Sequence, residues 1–271
     1  MSNSLTVTKY SLPDSRLGIK LALVADLHNR AYGDLIDRLR AESPDAILVA
    51  GDTLERHRAG ASEWTEERME AWQTLPGRKP VSLRLVRLVD RFAERGGVTE
   101  DREERGLAFL GEASAIAPVF LSVGNHEWYF LPGDLALFDR CGITLLDNAD
   151  TEVVLRGVPV RIGGLSTRYD LEWLRNFSEK PGVRILMCHH PEYYRELIRG
   201  TPADTFDLIV GGHYHGGQWR LFRRGVYVPR HGLFLRGVRG RFGRLIVSAG
   251  VANTARLPRW GNPRELVIIN L

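Results

Sequence analysis

Gly211-Gly212-His213-Tyr214-His215-Gly216-Gly217-Gln218 directly follows the apolar run Asp207-Leu208-Ile209-Val210. The run reads as a buried parallel strand. The stretch after it sets two imidazoles just past a strand end, with glycines on both sides that permit a tight backbone around a bound group. In an extended segment, residues two apart face the same side. His213 and His215 could therefore reach one metal ion or two neighbouring ones, and by themselves they could equally be two histidines in a wet loop.

Working outward, the same pattern recurs. The run Ile19–Ala25 ends in Asp26-Leu27-His28, and Ala46–Ala50 ends in Gly51-Asp52. Pro118–Val123 ends in Gly124-Asn125-His126-Glu127, and Val183–Cys188 ends in His189-His190-Pro191. Polar groups at the carboxyl ends of buried strands are where open α/β sheets collect their chemistry. An aspartate after a strand can simply cap the next helix, but five coincident strand ends weigh against that. Asp, Asn and His together suit a divalent transition metal such as Mn, Fe or Zn. They are too rich in imidazole for a calcium or magnesium cage. The two cysteines, Cys141 and Cys188, lie far apart and form no thiolate set or disulfide framework.

Between these blocks, helical spacing predicts helices near 35–43, 107–116, 134–141 and 171–177, with another starting at Pro191. Residues 5–12 alternate as an edge strand. Segments 143–147, 152–156 and 159–163 read as strands, the last two joined around Gly157. Further short strands follow at 226–228, 233–235, 245–248 and 266–269. Residues 55–105 carry helical periodicity broken by Pro76-Gly77 and Gly96-Gly97, and read as an inserted helical segment over or beside the site. The whole, 1–271, reads as a single α/β domain. No apolar run approaches the ~20 residues of a membrane span and no secretory leader is evident, so a soluble, cytoplasmic protein is expected. The net charge is +4, yet from Gly216 to Leu271 eleven arginines stand against one acid, Glu265. That asymmetry favours an anionic ligand.

In their order, the five blocks resemble the signature of the calcineurin-like metallophosphoesterases, D-x-H, G-D, G-N-H-[DE], H, and G-H-x-H, with an interval from Asp52 to Asn125 that is long for that family. Gly216-Gly217-Gln218 and the Pro258-Arg259 and Pro263-Arg264-Glu265-Leu266 stretches are similar to its bacterial YkuE/YaeI-like branch. The resemblance implies a four-layer α-β-β-α sandwich with two mixed central sheets and the helical insertion at about 55–105. It also implies two divalent metal ions: one held by Asp26, His28 and His215, the other by Asn125, His189 and His213, with Asp52 bridging. Two such cations lower the pKa of a water held between them, and the hydroxide formed attacks phosphorus in line. His126 is then the general acid, oriented by Asp26 or Glu127, and His190 a packing neighbour. The expected substrate is a phosphomonoester, phosphodiester or pyrophosphate on a small molecule or a lipid, the latter held by Trp64 and Trp72. A nuclease and a non-catalytic scaffold on the same fold are the alternatives. Nucleic acid is not favoured, because no aromatic-interleaved basic motif is present.

Overall fold

The computed structural model describes residues 5–12, 16–56, 104–222, 224–229, 231–254 and 257–271. The segment expected to be helical at 55–105, with Trp64 and Trp72, lies outside these residues except at its ends. The strands in chain order are β1 (Leu5–Ser11), β2 (Lys20–Val24), β3 (Ala46–Ala50), β4 (Val119–Ser122) and β5 (Thr144–Leu146). They continue as β6 (Ala149–Leu155), β7 (Val158–Leu165), β8 (Val183–Cys188), β9 (Leu208–Gly211) and β10 (Trp219–Leu221). The last are β11 (Arg224–Val228), β12 (Gly232–Leu235), β13 (Gly240–Phe242), β14 (Leu245–Val247) and β15 (Arg264–Asn270).

One sheet runs β1-β15-β2-β3-β4-β5 and a second β13-β14-β9-β8-β7-β6; a small third sheet is β10-β11-β12. Both large sheets are mixed. β2, β3, β4 and β5 are mutually parallel while β15 enters antiparallel to β2. β7, β8, β9 and β14 are parallel, flanked by antiparallel β6 and β13.

Period-two alternation makes the layers. Leu21, Leu23 and Leu48 point inward and share a core with Ile162, Ile185, Met187 and Val210 of the opposite sheet. Their neighbours Ala22, Val24, Ile47 and Val49 point the other way, onto helices Leu35–Glu42, Arg105–Ser114 and Pro132–Cys141. On the far side, Leu186, Cys188 and Ile209 pack on helix Leu171–Ser178 and the turns after Pro191. The order is therefore helix, sheet, sheet, helix. Strands buried on both faces must be apolar at every position, which is why their sequences are continuous hydrophobic runs.

Local chemistry sets the joins. Arg156-Gly157, both at positive φ, form the two-residue turn between β6 and β7. Asp170 caps helix Leu171–Ser178 by accepting from the backbone N–H groups of Glu172 and Trp173. β1 lies at a sheet edge, and its partly exposed pattern follows from that. Among the described residues, no helix is long and apolar enough to cross a membrane.

Truncating the core between the sheets should be costly. Leu48→Ala should lower unfolding stability by about 2–5 kcal/mol in denaturant titration, whereas Val154→Ala, at a position 66% exposed, should change it by less than about 0.5 kcal/mol.

Candidate metal centre

The parallel strands β2, β3, β4, β8 and β9 all end at one edge, and the loops there carry every expected metal ligand together with His126 and His190. Asp52 occupies the middle. Its Oδ2 lies 3.1 Å from His189 Nε2 and 3.6 Å from His28 Nε2. On one side of it, His28 Nε2 is 3.2 Å from His215 Nε2, which is 3.8 Å from Asp26 Oδ1. On the other side, Asn125 Oδ1 is 3.1 Å from His189 Nε2 and 2.9 Å from His213 Nδ1. Ligand atoms lie within 4.8 Å of one another in Asp26/His28/His215, Asp26/Asp52/His189, His28/Asp52/His126 and His189/His190/His213.

The backbone that delivers these groups is not extended. Asp26, His28, Asp52, His213 and His215 all have φ between 48° and 72°, a region non-glycine residues rarely adopt. Face-sharing of residues two apart therefore does not explain the convergence; tight left-handed loops do. His213 and His215 consequently part company, one beside Asn125 and the other beside His28. Close approach needs glycine at two points. A Cβ on Gly212 would lie 2.7 Å from Asp26 Oδ2, and one on Gly124 would collide with Asp52.

Buried ionisable groups offset one another. Burial opposes ionisation of Asp52, but His189, His126 and His28 around it hold its pKa well below the usual carboxylate range. Asp26 is raised, first by burial and then by Asp52. Burial works against charge on His189, yet Asp52 and Asp26 outweigh it and lift its pKa to about 10. Burial and neighbouring cationic groups push His213 and His215 far down, so both are neutral.

These residues fit a pair of divalent cations. Asp26 Oδ2 is buried, and no hydrogen-bond donor among the described residues reaches it. The two carboxylates share a pocket with His28, His189 and His215, each of which turns a ring nitrogen toward one of them. His189 also donates from Nδ1 to the Ala50 carbonyl at 2.8 Å, which leaves Nε2 free to act as a ligand.

A sequence profile of the calcineurin-like phosphoesterases matches residues 19–217. The chain belongs to that family. It is 22% identical to the uncharacterized protein YpbG of Bacillus subtilis over 216 residues, 77% of this chain and 66% of that one. It is 21% identical to the uncharacterized metallophosphoesterase Cj0846 of Campylobacter jejuni over 276 residues, 96% of this chain and 61% of that one. The chain thus spans under two thirds of the length of these curated relatives. Among solved structures, the sulfate thiohydrolase SoxB of Thermus thermophilus superposes with a TM-score of 0.45 and 13% identity, covering 97% of this chain and 58% of that one.

Within this calcineurin-like phosphoesterase, several residues differ from the sequence reading. Neither Asp26 nor Glu127 orients His126. Glu55 does: its Oε2 accepts from His126 Nδ1 at 2.8 Å, while Oε1 accepts from His28 Nδ1 at 2.7 Å. Glu55 was legible only as the acid three residues after Asp52. Glu127 is a buried clamp whose carboxylate accepts the backbone N–H groups of Asp52, Thr53, Leu54 and Gly124 at 2.7–3.0 Å. His190 turns to Thr167 Oγ1 (2.9 Å) and to Glu192 Oε1 (3.2 Å). Glu192 also lies 3.6 Å from His213 Nε2, a neighbour the sequence reading missed.

Much of the arginine-rich quarter holds structure together. Arg239 pairs with Glu265, Arg241 and Arg244 bond backbone carbonyls, and Arg259 reaches the Ala249 carbonyl and His215 Nδ1.

Removing the Glu127 clamp should unfold the site first. Glu127→Gln, which leaves one acceptor for four buried donors, should cost about 3 kcal/mol or more in urea unfolding; an unchanged midpoint would contradict the clamp.

Proposed function

We propose that the chain is a binuclear metal-dependent phosphohydrolase acting on a phosphomonoester, phosphodiester or pyrophosphate. The observation that carries this reading is the position of Asp52, with one carboxylate oxygen between a His28 side and a His189 side. Asp26, His28 and His215 would hold one ion, Asn125, His189 and His213 the other, and Asp52 both. When bound, the ions, of which Mn, Fe and Zn suit this donor set, supply a nucleophile at neutral pH and offset charge on the phosphoryl oxygens.

The chain supplies proton transfer and orientation. His126 is about one quarter exposed, more open than the histidines behind it. With Nδ1 held by Glu55, its Nε2–H is the atom positioned to protonate a departing alkoxide. Burial disfavours its charge, but Asp52 and Glu55 prevail and raise its pKa to about 9. Glu55 stays beside the ring when Asp52 is engaged by cations, and its carboxylate favours the protonated imidazole that a general acid needs. Glu55 couples this acid to the metal side, because the same carboxylate fixes the ring of His28. The natural substrate is a phosphorylated small molecule or a lipid-linked phosphate.

Two measurements test the reading. With manganese, the protein should hydrolyse aryl phosphate esters. His126→Ala should lower kcat roughly 10²–10⁴-fold for an alkyl ester and far less for a nitrophenyl ester, whose leaving group needs no proton; equal losses would remove His126 from that role. Metal binding to metal-free protein should release protons, since His189 is protonated up to a pKa of about 10 and only a neutral imidazole is a ligand. Apparent affinity should therefore climb as pH rises from about 6 to about 9, with calorimetric heats that track buffer ionisation enthalpy. Flat affinity with no proton release would contradict the assignment.

A further inference from the structure

The small sheet β10-β11-β12 begins just past His215 and presents opposite faces to opposite environments. Cross-strand pairing sets Gly225 against Leu235 and Tyr227 against Leu233. That side packs inward, where Leu235 joins Tyr214 and Val238 in a small core, with Val228 tucked in from the end of β11. Alternation puts Leu221, Arg224 and Phe234 on the other side, and exposure agrees: Leu221 is 45% and Phe234 59% exposed, with Arg224 exposed between them. Phe222, at the turn between β10 and β11, is 88% exposed. Trp260, 49% exposed, bridges Trp219 beside β10.

Among the described residues, no packing partner accounts for the exposure of these side chains. Phe222 and Phe234 sit at φ 47° and 54°, where turn chemistry favours glycine or asparagine. A bulky apolar ring at such a position is strained and hydrated at once. Along the chain from Gly216 onward, charge is almost all of one sign. The one acid after Gly216, Glu265, is fully buried and bonded to Arg239 and Thr8. Among the described residues, no carboxylate pairs with Arg224 or Arg236, both exposed.

Exposed rings interspersed with unopposed guanidiniums match the boundary between acyl chains and phosphate headgroups. Aliphatic Leu221 beside Phe222 suits that boundary too, and offers no stacking face to a base. We propose that the outer face of the small sheet docks on an anionic lipid bilayer. Phe222 and Phe234 enter the headgroup–acyl boundary, and Arg224 and Arg236 meet lipid phosphates. The inner side of the same lobe touches the metal centre, since His231 stands edge-on to His213 at 4.7 Å. Docking therefore engages an element in direct contact with the site. The proposal does not depend on the hydrolytic reading.

Vesicle sedimentation of the full chain tests it. Binding to mixed phosphatidylcholine–phosphatidylglycerol vesicles is expected, with little to phosphatidylcholine alone, and it should weaken as salt rises. Phe222→Ser with Phe234→Ser should lower partitioning about tenfold, and Phe222→Ser alone, at an exposed turn, should lower it detectably. Arg224→Glu with Arg236→Glu should erase the preference for the anionic lipid. All variants should keep the wild-type circular dichroism spectrum. No vesicle binding, equal binding to both vesicle types, or wild-type binding by the phenylalanine variants would overturn the proposal. So would binding to single-stranded DNA, or self-association lost in those variants, with vesicles left unbound.

Discussion

The structure depends on keeping two carboxylates, Asp26 and Asp52, buried side by side. Both are essentially inaccessible to water, and an isolated buried charge is very unfavourable. Oriented donors from distant loops offset that cost. Asp52 Oδ1 accepts the N–H of His126 at 2.8 Å, and Asp26 Oδ1 accepts the N–H of His213 at 2.9 Å. Each acid thus ties its own strand end to another: β3 to β4 in one sheet, and β2 to β9 across the two. The same carboxylates that collect histidines also lock the sheets in register at their active edge. Glu127 does the reverse, using a carboxylate to gather four backbone donors from the loops after β3 and β4.

This arrangement asks for backbone that the chain would not choose unaided. Left-handed residues cost of order 1–3 kcal/mol each and persist only where the surroundings over-determine them. Here they cluster at the carboxyl ends of β2, β3 and β9. The core between the sheets and the helix layers outside them hold those strand ends in place. Rigid strands position the site, and the strained loops aim its side chains.

The buried strands were readable because burial on both faces forces apolar residues at every position, and D-x-H, G-D and G-N-H-E stand out after such runs. The loop conformation was not, since left-handed φ at Asp26 or His215 comes from tertiary hydrogen bonds. Glu55 escaped for a related reason. It sits where strand periodicity ends and charged composition begins, and only the fold shows it between His28 and His126. β10 and β13 are three residues each and arginine-bearing, too short to display a period. The antiparallel entry of β15 beside β2 joins chain segments more than two hundred residues apart, a pairing no local pattern encodes.

The central claim is that Asp52 belongs to two metal sites at once. Metal analysis after loading and gel filtration tests it most directly. The account predicts two divalent ions per wild-type chain and loss of both, or of all but a weakly held one, in Asp52→Ala, while Asp26→Ala retains one. Full stoichiometry in Asp52→Ala, or a wild-type chain that retains no metal, would contradict it.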